Sequence, residues 1–599
     1  MKMPLHPVWD LESIFSGGSS SEAFAAYLNE LEADVRKLQE TLNQTAAPAT
    51  LKNTEVLNPI LELLQSCYVR ISEGSAFVSC LSAQNQQDKK AAQLQGTVSS
   101  IAAMLNSSKS KFDNTLSQMP EDVWTEWLER PEIQPLSFVL NESRAQAKEK
   151  LSPELEGLAL DLAVDGYHGW GKFYNTIVSK VNIPFEQDGE TIMLSAGQAA
   201  NKLSDSDRAV REQVFASWEQ AWTDVEDFCA DTLNHLAGFR LKLYEKRGWQ
   251  DILREPLSIN RMSRQTLDTM WEVINGAKPV LVQYLERKTQ LLGVDKLSWS
   301  DVEAPVGKSV GKVTYDGAAQ TIVEQFAKFS PKLSSFAEMA FEKRWIEAED
   351  RPGKRPGGFC TSLPLSKATR IFMTFSGTAS NVSTLAHELG HGYHQHIMEE
   401  LPALNQRYAM NVAETASTFA EMIVADALVQ TASDEQEKLA LLEDKIQRSV
   451  AFFMNIHARF LFENRFYEQR KKGLVSADEL SRLMVEAQEE AYCGVLASNH
   501  PHFWASKLHF YLTGVPFYNF PYTFGYMFSA GIYARAQQEG TAFAGKYDDL
   551  LRDTGRMTVE ELALKHLGTD LTQPDFWQNA ANLVIADIEQ FLEMTSNIK

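Results

Sequence analysis

The stretch His387-Glu388-Leu389-Gly390-His391 is the tightest constraint in this chain. It is an H-E-x-x-H sequence, and its chemistry exists only if the segment is helical. Residues four apart share one face of an α-helix, so two imidazoles reach a single ion without bending the backbone. Glu388 follows the first histidine and lies three before the second. Its carboxylate flanks the ion instead of binding it. There it takes a proton from a metal-bound water, the work of a general base. Two neutral nitrogens, one carboxylate and an open position for water suit zinc. The chain must therefore build a regular helix here and bring a further ligand from elsewhere.

The surrounding residues agree. Val382, Leu385, Ala386 and Leu389 give this helix an apolar back, and Ser380 and Asn381 are its expected N-caps. Gly390 and Gly392 are poor helix residues, each costing about 1 kcal/mol against Ala. Their place beside the histidines predicts a second element passing close by. His394 and His396 complete a run that holds four of the chain's 12 histidines. The longer pattern with a third histidine fails, because its Gly position is His394 and its last position is Ile397. His394 and His396 therefore read as polar helix-face residues or as hydrogen-bond donors around the site.

A better third ligand lies downstream, in "AMNVAETASTFAEMIVADALV". Met410, Ala413, Ser417, Ala420 and Val424 form one helical stripe of mostly small residues. Glu414 and Glu421 sit seven apart, two turns along about the same face. Carboxylates turned inward among small residues are costly unless they meet positive charge. Glu414 is the expected ligand and Glu421 the acceptor that orients a ligand histidine. The intervening "MEELPALNQRY" leaves room for a loop.

Around this core the chain reads as mainly α. Its 599 residues exceed one small core and suggest two or more lobes. Phe24, Tyr27, Leu28, Leu31, Val35 and Leu38 follow the helical period, as do the stretches after Leu57 and from Asp88 to Leu128. Asp188-Gly189, between alternating apolar residues, predicts a hairpin near Val181 to Ser195. Helices resume over roughly Ser206–Lys246, Ser263–Leu292 and Ala318–Glu342. The section from Pro356 to Gly377 is rich in Gly, Thr and β-branched residues and reads as a second weak strand region. A net charge of −22 and a pI near 5.1 argue against coating nucleic acid or an anionic membrane. There is no apolar run of roughly 18 residues, and no secretory signal is legible in "MKMPLHPVWDLESIF". Five scattered cysteines without a C-x-x-C pair suggest reduced thiols, mostly buried, and a cytoplasmic location.

"TLAHELGHGYHQHIM" followed by "VAETASTFAEMI" resembles the M3 metallopeptidases, in particular the oligoendopeptidase F branch. "DRAVREQVF", "YDGAAQTIVEQFAKFSP", "KRPGGFC" and "WASKLHFYLTGVPFYNFPYTFG" extend the resemblance over most of the chain. It implies a multi-helical, two-lobed zincin with a deep substrate channel and a small β-sheet near the active site. It also implies a helical lobe over 1–110, an oligopeptidase F N-terminal region over 111–200 and a catalytic domain over 201–599. By the family pattern His387, His391 and Glu414 bind one zinc ion per chain and Glu388 is the base. Substrates are then oligopeptides, since folded proteins cannot enter the channel.

The last matched segment carries His509, Tyr511, Tyr518, Tyr522 and Tyr526, broken into loop by Gly514, Gly525 and two prolines. Peptide hydrolysis puts negative charge on a carbonyl oxygen, and an imidazole or phenol aimed at it is stabilising. The resemblance assigns that role to His509, Tyr518 and Tyr522, leaving open which tyrosine acts. Phe520 and Phe524 stand where the family pattern suggests tyrosine. Gly357 and Gly358, in "GGFC", are expected to pair as an edge strand with substrate backbone. The expected activity is an oligoendopeptidase of short unstructured peptides, a monomer or small homo-oligomer with no nucleic-acid or membrane partner. A carboxypeptidase or dipeptidyl carboxypeptidase is the alternative, with Arg370, Arg407 or Lys507 holding the terminal carboxylate. A non-catalytic peptide-binding protein is the third reading.

Overall fold

The computed structural model describes residues 3–307 and 311–598. Helices dominate it, and the strands form one two-stranded and one three-stranded sheet among the described residues. The chain divides into two compact units. One comprises Met1–Lys150, Gly311–Ala427 and Arg535–Gly568, the other Leu151–Val310, Leu428–Ala534 and Thr569–Lys599.

In the first unit the N-terminal periodicity becomes the helix Glu22–Gln44. Ser21 caps it by accepting from Phe24 N, and Phe24, Leu28, Leu31, Val35, Leu38 and Leu42 are buried. Tyr27 is half-buried and donates its hydroxyl to Arg70 O at 2.8 Å. This helix packs on Leu57–Gln84 and Lys89–Ser117, the latter capped by Asp88. The helix Leu57–Gln84 also packs on strand Phe359–Leu363 of the three-stranded sheet. From it the buried carboxylate of Glu73 accepts from Leu365 N at 3.0 Å and from Ser366, fixing the turn between two strands.

The sheet has the order Ile346–Glu347, Ala368–Phe372, Phe359–Leu363. The first pair is parallel and the second antiparallel. Phe359–Leu363 is therefore an edge strand, but Gly357, at φ 87°, and Gly358, both expected within it, lie just before its start. Against both longer strands lies the helix Ala379–Met398, which carries the H-E-x-x-H residues. Pro331–Glu342 and Ala544–Asp553 pack on its other sides.

The second unit holds the hairpin. Asn182–Gln187 pairs with Glu190–Ser195, and Asp188 and Gly189 take φ of 54° and 83°. Both turn residues are left-handed, the requirement of a type I′ turn that Asp-Gly meets. The hairpin packs on Arg208–Thr223, and the long helix Arg264–Leu291 packs on Pro574–Thr595.

Several stretches read as continuous are divided. Ser206–Lys246 resolves into Arg208–Thr223, capped by Asp207, and Glu226–Lys246. Ala318–Glu342 resolves into Tyr315–Phe329 and Pro331–Glu342. The break falls on Ser330, at φ −146°, because a residue before proline avoids the helical region. Lys89–Ser117 stops short of Pro120, and Glu121–Leu128 begins after it. Among the described residues no helix is long and apolar enough to cross a membrane. All five cysteines are free, but Cys493 is exposed, not buried.

Within the second unit, Lys288 is fully buried. It donates to Val302 O at 2.9 Å and to Glu443 Oε1 at 3.1 Å. The other Glu443 oxygen accepts from Val306 N at 2.8 Å. Removing one partner of a buried pair strands the other charge, at about 3–5 kcal/mol. Lys288→Met is thus expected to destabilise the protein by about 3–5 kcal/mol, read from the midpoint of thermal or denaturant unfolding.

Candidate metal centre

The helix Ala379–Met398 is capped two residues before Ser380 and three before Asn381, the expected caps. Thr378 is the N-cap, accepting from Asn381 N at 3.1 Å, while Asn381 Oδ1 returns to the backbone of Ser376 and Thr378. Asn381 is thus the far arm of a capping box, a role that differs from the cap itself. Val382, Leu385, Ala386 and Leu389 are buried, as their spacing predicts. His387 and His391 project from the opposite side, their ring centroids 4.9 Å apart and nearly perpendicular.

Gly390 explains how a second element reaches them. A Cβ at this position would stand 2.6 Å from Ser417 Cα and closer still to the Ala416 carbonyl oxygen. Backbone therefore occupies the space a side chain would need. Gly392 is similarly tight, against the Phe336 ring at 2.9 Å.

Glu414 does not lie inside a continuous helix. Met410–Ala413 ends at it, with φ −85° and ψ 1°, and Thr415–Thr431 follows. The break sets the Glu414 carboxylate beside both imidazoles: Oε2 is 3.1 Å from His387 Nε2 and 3.4 Å from His391 Nε2. Ser417 Oγ, which the sequence reading treated only as a small residue, donates to the same oxygen at 2.8 Å. Its three-residue spacing from Glu414 across a helix start is the signal that could have identified it. Burial alone would raise the Glu414 pKa, but hydrogen bonds from His387 and His391, when their Nε2 atoms carry a proton, hold the carboxyl well below its usual range.

Glu421, one turn pair further on, lies 2.9 Å from His387 Nδ1. An ionised carboxylate only accepts, so the imidazole proton sits on Nδ1. When the ring is neutral, His387 Nε2 then presents a lone pair to the Glu414 oxygen. At 3.1 Å those two atoms are held together by a proton on the imidazole or by a metal ion beside them. One donor atom each from His387, His391 and Glu414 all lie within 4.8 Å of one another, so the group could hold a metal ion. The donor set fits a divalent ion that accepts imidazole and carboxylate.

Glu388 is buried, and its Oε2 has no hydrogen-bond partner. Burial pushes its pKa up, partly offset by His387 and His391. A Cβ at Gly358 would come within 3.2 Å of its other oxygen, so the edge strand begins right beside this carboxylate.

Of the two remaining histidines of the stretch, His396 lies on a polar face as read from the sequence and His394 does not. His394 is fully buried, not on a polar face. It bonds Leu551 O at 3.2 Å and Thr554 Oγ1 at 2.8 Å, stacks on Tyr408, and burial lowers its pKa to about 3. His396 pairs with Glu399 at 3.3 Å. Arg370 is also ruled out as a carboxylate clamp. It is buried and spends its guanidinium on Asp10 O, Thr369 O and Ser13 Oγ. Arg407 lies over the Tyr68 ring and Lys507 over Phe503.

In the second unit His509, Tyr518 and Tyr522 come together. The His509 ring lies 5.3 Å from Tyr518 and 6.4 Å from Tyr522, and Tyr522 donates to the Tyr518 hydroxyl at 3.3 Å. Burial lowers the His509 pKa to about 4, aided by Arg459 and Lys507, so the imidazole is neutral at pH 7. Tyr511 is elsewhere, stacked on Tyr174, and Tyr526 bonds Ser449 Oγ at 2.8 Å. The segment is less of a loop than its prolines and glycines suggest: Phe520–Glu539 is helical, with Gly525 inside it.

A helix-borne histidine pair with a converging carboxylate, on a mainly helical scaffold, is the architecture of a metallopeptidase. The comparisons with known proteins make this specific. The chain belongs to peptidase family M3, whose family model matches residues 202–583; a second, for Oligopeptidase F, matches residues 116–182. It is 23% identical to the oligoendopeptidase F homolog of Lactococcus lactis subsp. lactis, over 98% of this chain and 97% of that protein. It is 24% identical to oligopeptidase PepF of Bacillus subtilis, over 79% of this chain and 71% of that protein. The crystal structure of oligoendopeptidase-F from Enterococcus faecium shares the fold, with a TM-score of 0.69 over 96% of this chain and 98% of that one, at 19% identity.

The geometry at Gly390 generates a prediction. Overpacking costs about 1–3 kcal/mol, and here it falls between the two elements that carry His391 and Glu414. Gly390→Ala is expected to lower the melting temperature and to weaken metal retention about ten-fold or more, measured as metal content after dialysis against a graded chelator.

Proposed function

We propose that this M3 peptidase is a zinc-dependent oligoendopeptidase that cuts internal bonds of short, unstructured peptides. The observation that carries the reading is the convergence of the His387 and His391 Nε2 atoms on Glu414, with His387 Nδ1 2.9 Å from Glu421 on its other side. His387, His391 and Glu414 are the proposed ligands, and Glu421 holds the first of them in its binding tautomer. A zinc ion held there would polarise the scissile carbonyl and acidify an attacking water.

Glu388 is the proposed base. Its Oε2 has no other partner to give up, and its burial favours proton uptake. The carboxylate takes one proton from the attacking water as the oxygen bonds to the carbonyl carbon. It then returns that proton to the amide nitrogen as the C–N bond breaks, so the amine leaves neutral. His509, Tyr518 and Tyr522 are the proposed donors to the oxygen that gains negative charge. A neutral imidazole keeps one N–H for this purpose, and the Tyr518 hydroxyl, which accepts from Tyr522, adds a second donor.

The edge strand Phe359–Leu363 is the proposed site of substrate addition. Its outer edge pairs with no strand among the described residues. Main-chain pairing there tolerates varied side chains and asks only that the peptide be extended. The free thiols accord with a reducing, cytoplasmic setting.

Two tests follow from this chemistry. Glu388→Gln is expected to retain about one zinc per chain while kcat falls about 10²–10⁴-fold; retained hydrolysis would sink the mechanism. Digestion of a peptide library, with and without a chelator, should show internal cuts that vanish with the metal. For the strand, peptides carrying a single N-methyl amide are expected to lose about ten-fold in kcat/KM at alternate positions near the cut. A uniform response along the peptide would contradict strand addition.

A further inference from the structure

The oxyanion reading requires Tyr518 and Tyr522 to be held still, and the backbone that leads into them is not regular. Phe517, just before Tyr518, has φ 51°. A bulky residue in the left-handed region is strained and persists only where its surroundings hold it. Phe517 is buried, stacked on Tyr467 at 5.4 Å and edge-on to Phe460 at 6.3 Å.

Two residues later, Asn519 is fully buried and its side chain is committed at both ends. Oδ1 accepts from Arg459 Nη1 at 3.1 Å, and Nδ2 donates to Glu463 Oε2 at 3.2 Å. An asparagine just before a helix ordinarily turns its oxygen onto the N–H groups of the first turn. Here that oxygen is given to Arg459, and the Asn519 backbone carbonyl accepts from Tyr522 N at 3.2 Å. Arg459 is itself fixed by Asn455 Oδ1 at 2.8 Å. Phe520 completes the contact by meeting Phe460 edge-on at 5.8 Å.

The four partners, Arg459, Phe460, Glu463 and Tyr467, belong to one helix, Ile456–Arg470. Their spacing of one, four and eight places them along one face. An amide is the group this geometry needs. It offers an acceptor to a guanidinium and a donor to a carboxyl in one plane. An aspartate would face the Glu463 carboxyl with a second acid, and an alanine would leave both buried groups without their partner.

We propose that this face of Ile456–Arg470 is a positioning shelf, in which Arg459 and Glu463 act through Asn519 to fix the Tyr518 and Tyr522 hydroxyls. Asn519 is a positioning residue, and the proposal rests on the reading of those tyrosines as oxyanion donors. Burial holds the Glu463 carboxyl up at about 8, so it is largely uncharged at neutral pH and the shelf carries the single charge of Arg459. That charge also helps keep His509 neutral.

The experiment is a double-mutant cycle on the full-length, metal-loaded enzyme, read as kcat and KM on one internally cleaved peptide. Asn519→Ala is expected to lower kcat ten-fold or more, with KM within three-fold and metal content unchanged. In a Tyr518→Phe/Tyr522→Phe background the same substitution should cost less than two-fold, because the groups it positions are gone. Additive losses, or a change confined to KM, would overturn the proposal. Full activity of the tyrosine double variant would overturn the oxyanion reading itself, and the shelf with it. An impaired tyrosine variant beside a fully active N519A would overturn the shelf alone. Should N519A fail to fold, Arg459→Lys keeps the charge but loses the planar fork, and it is read against the same tyrosine background with the same outcomes.

Discussion

One hydrogen bond decides what the centre can be. With its one proton drawn to Glu421, a neutral His387 has none to offer Glu414, and the pair facing each other is then a lone pair and an anion. That arrangement is stable only in the presence of positive charge. Everything nearby serves to keep it so. Ser417 steadies the Glu414 oxygen, the capping box at Thr378 and Asn381 fixes the start of the helix, and the buried back of that helix sets its rotation.

The sequence exposed those parts of the site that depend on spacing along one element. His387, His391 and the apolar back obey the helical period, and Asp188-Gly189 announces its turn because both residues must be left-handed. The pair Glu414 and Glu421 was legible as two inward acids. The break at Glu414 was not, since no proline or glycine marks it and it arises from the approach of Ala416 and Ser417 to Gly390. His394 and Arg370 were misjudged for a related reason. Their partners, Leu551, Thr554 and Asp10, are more than a hundred residues away in the chain. The tail after His509 misled in the opposite sense. Pro521 sits at the second residue of its helix, where a missing N–H costs nothing, so a residue that reads as a breaker is a starter.

The two units use helices in the same way. In the first, an α-helix supplies two imidazoles and a neighbouring backbone delivers the acid that faces them. In the second, Ile456–Arg470 supplies a guanidinium, a carboxyl and two rings to one short irregular segment. In both, the irregular piece bears the group of interest, Glu414 or Tyr518, and the regular piece supplies the rigidity. Irregular backbone has dihedrals that a helix forbids, and a helix has the stiffness that such backbone lacks.

Gly390 carries no functional group, yet its emptiness is what lets His391 and Glu414 meet. Every codon change that replaces a glycine installs a Cβ, and here no Cβ fits. The position therefore has no neutral neighbours in sequence space. A survey of inactivating substitutions across this gene would register it as strongly as the histidines, although chemistry alone would never point there. Any lineage that wished to re-space the two histidines would have to move two helices at once, which makes the centre easy to lose and hard to retune.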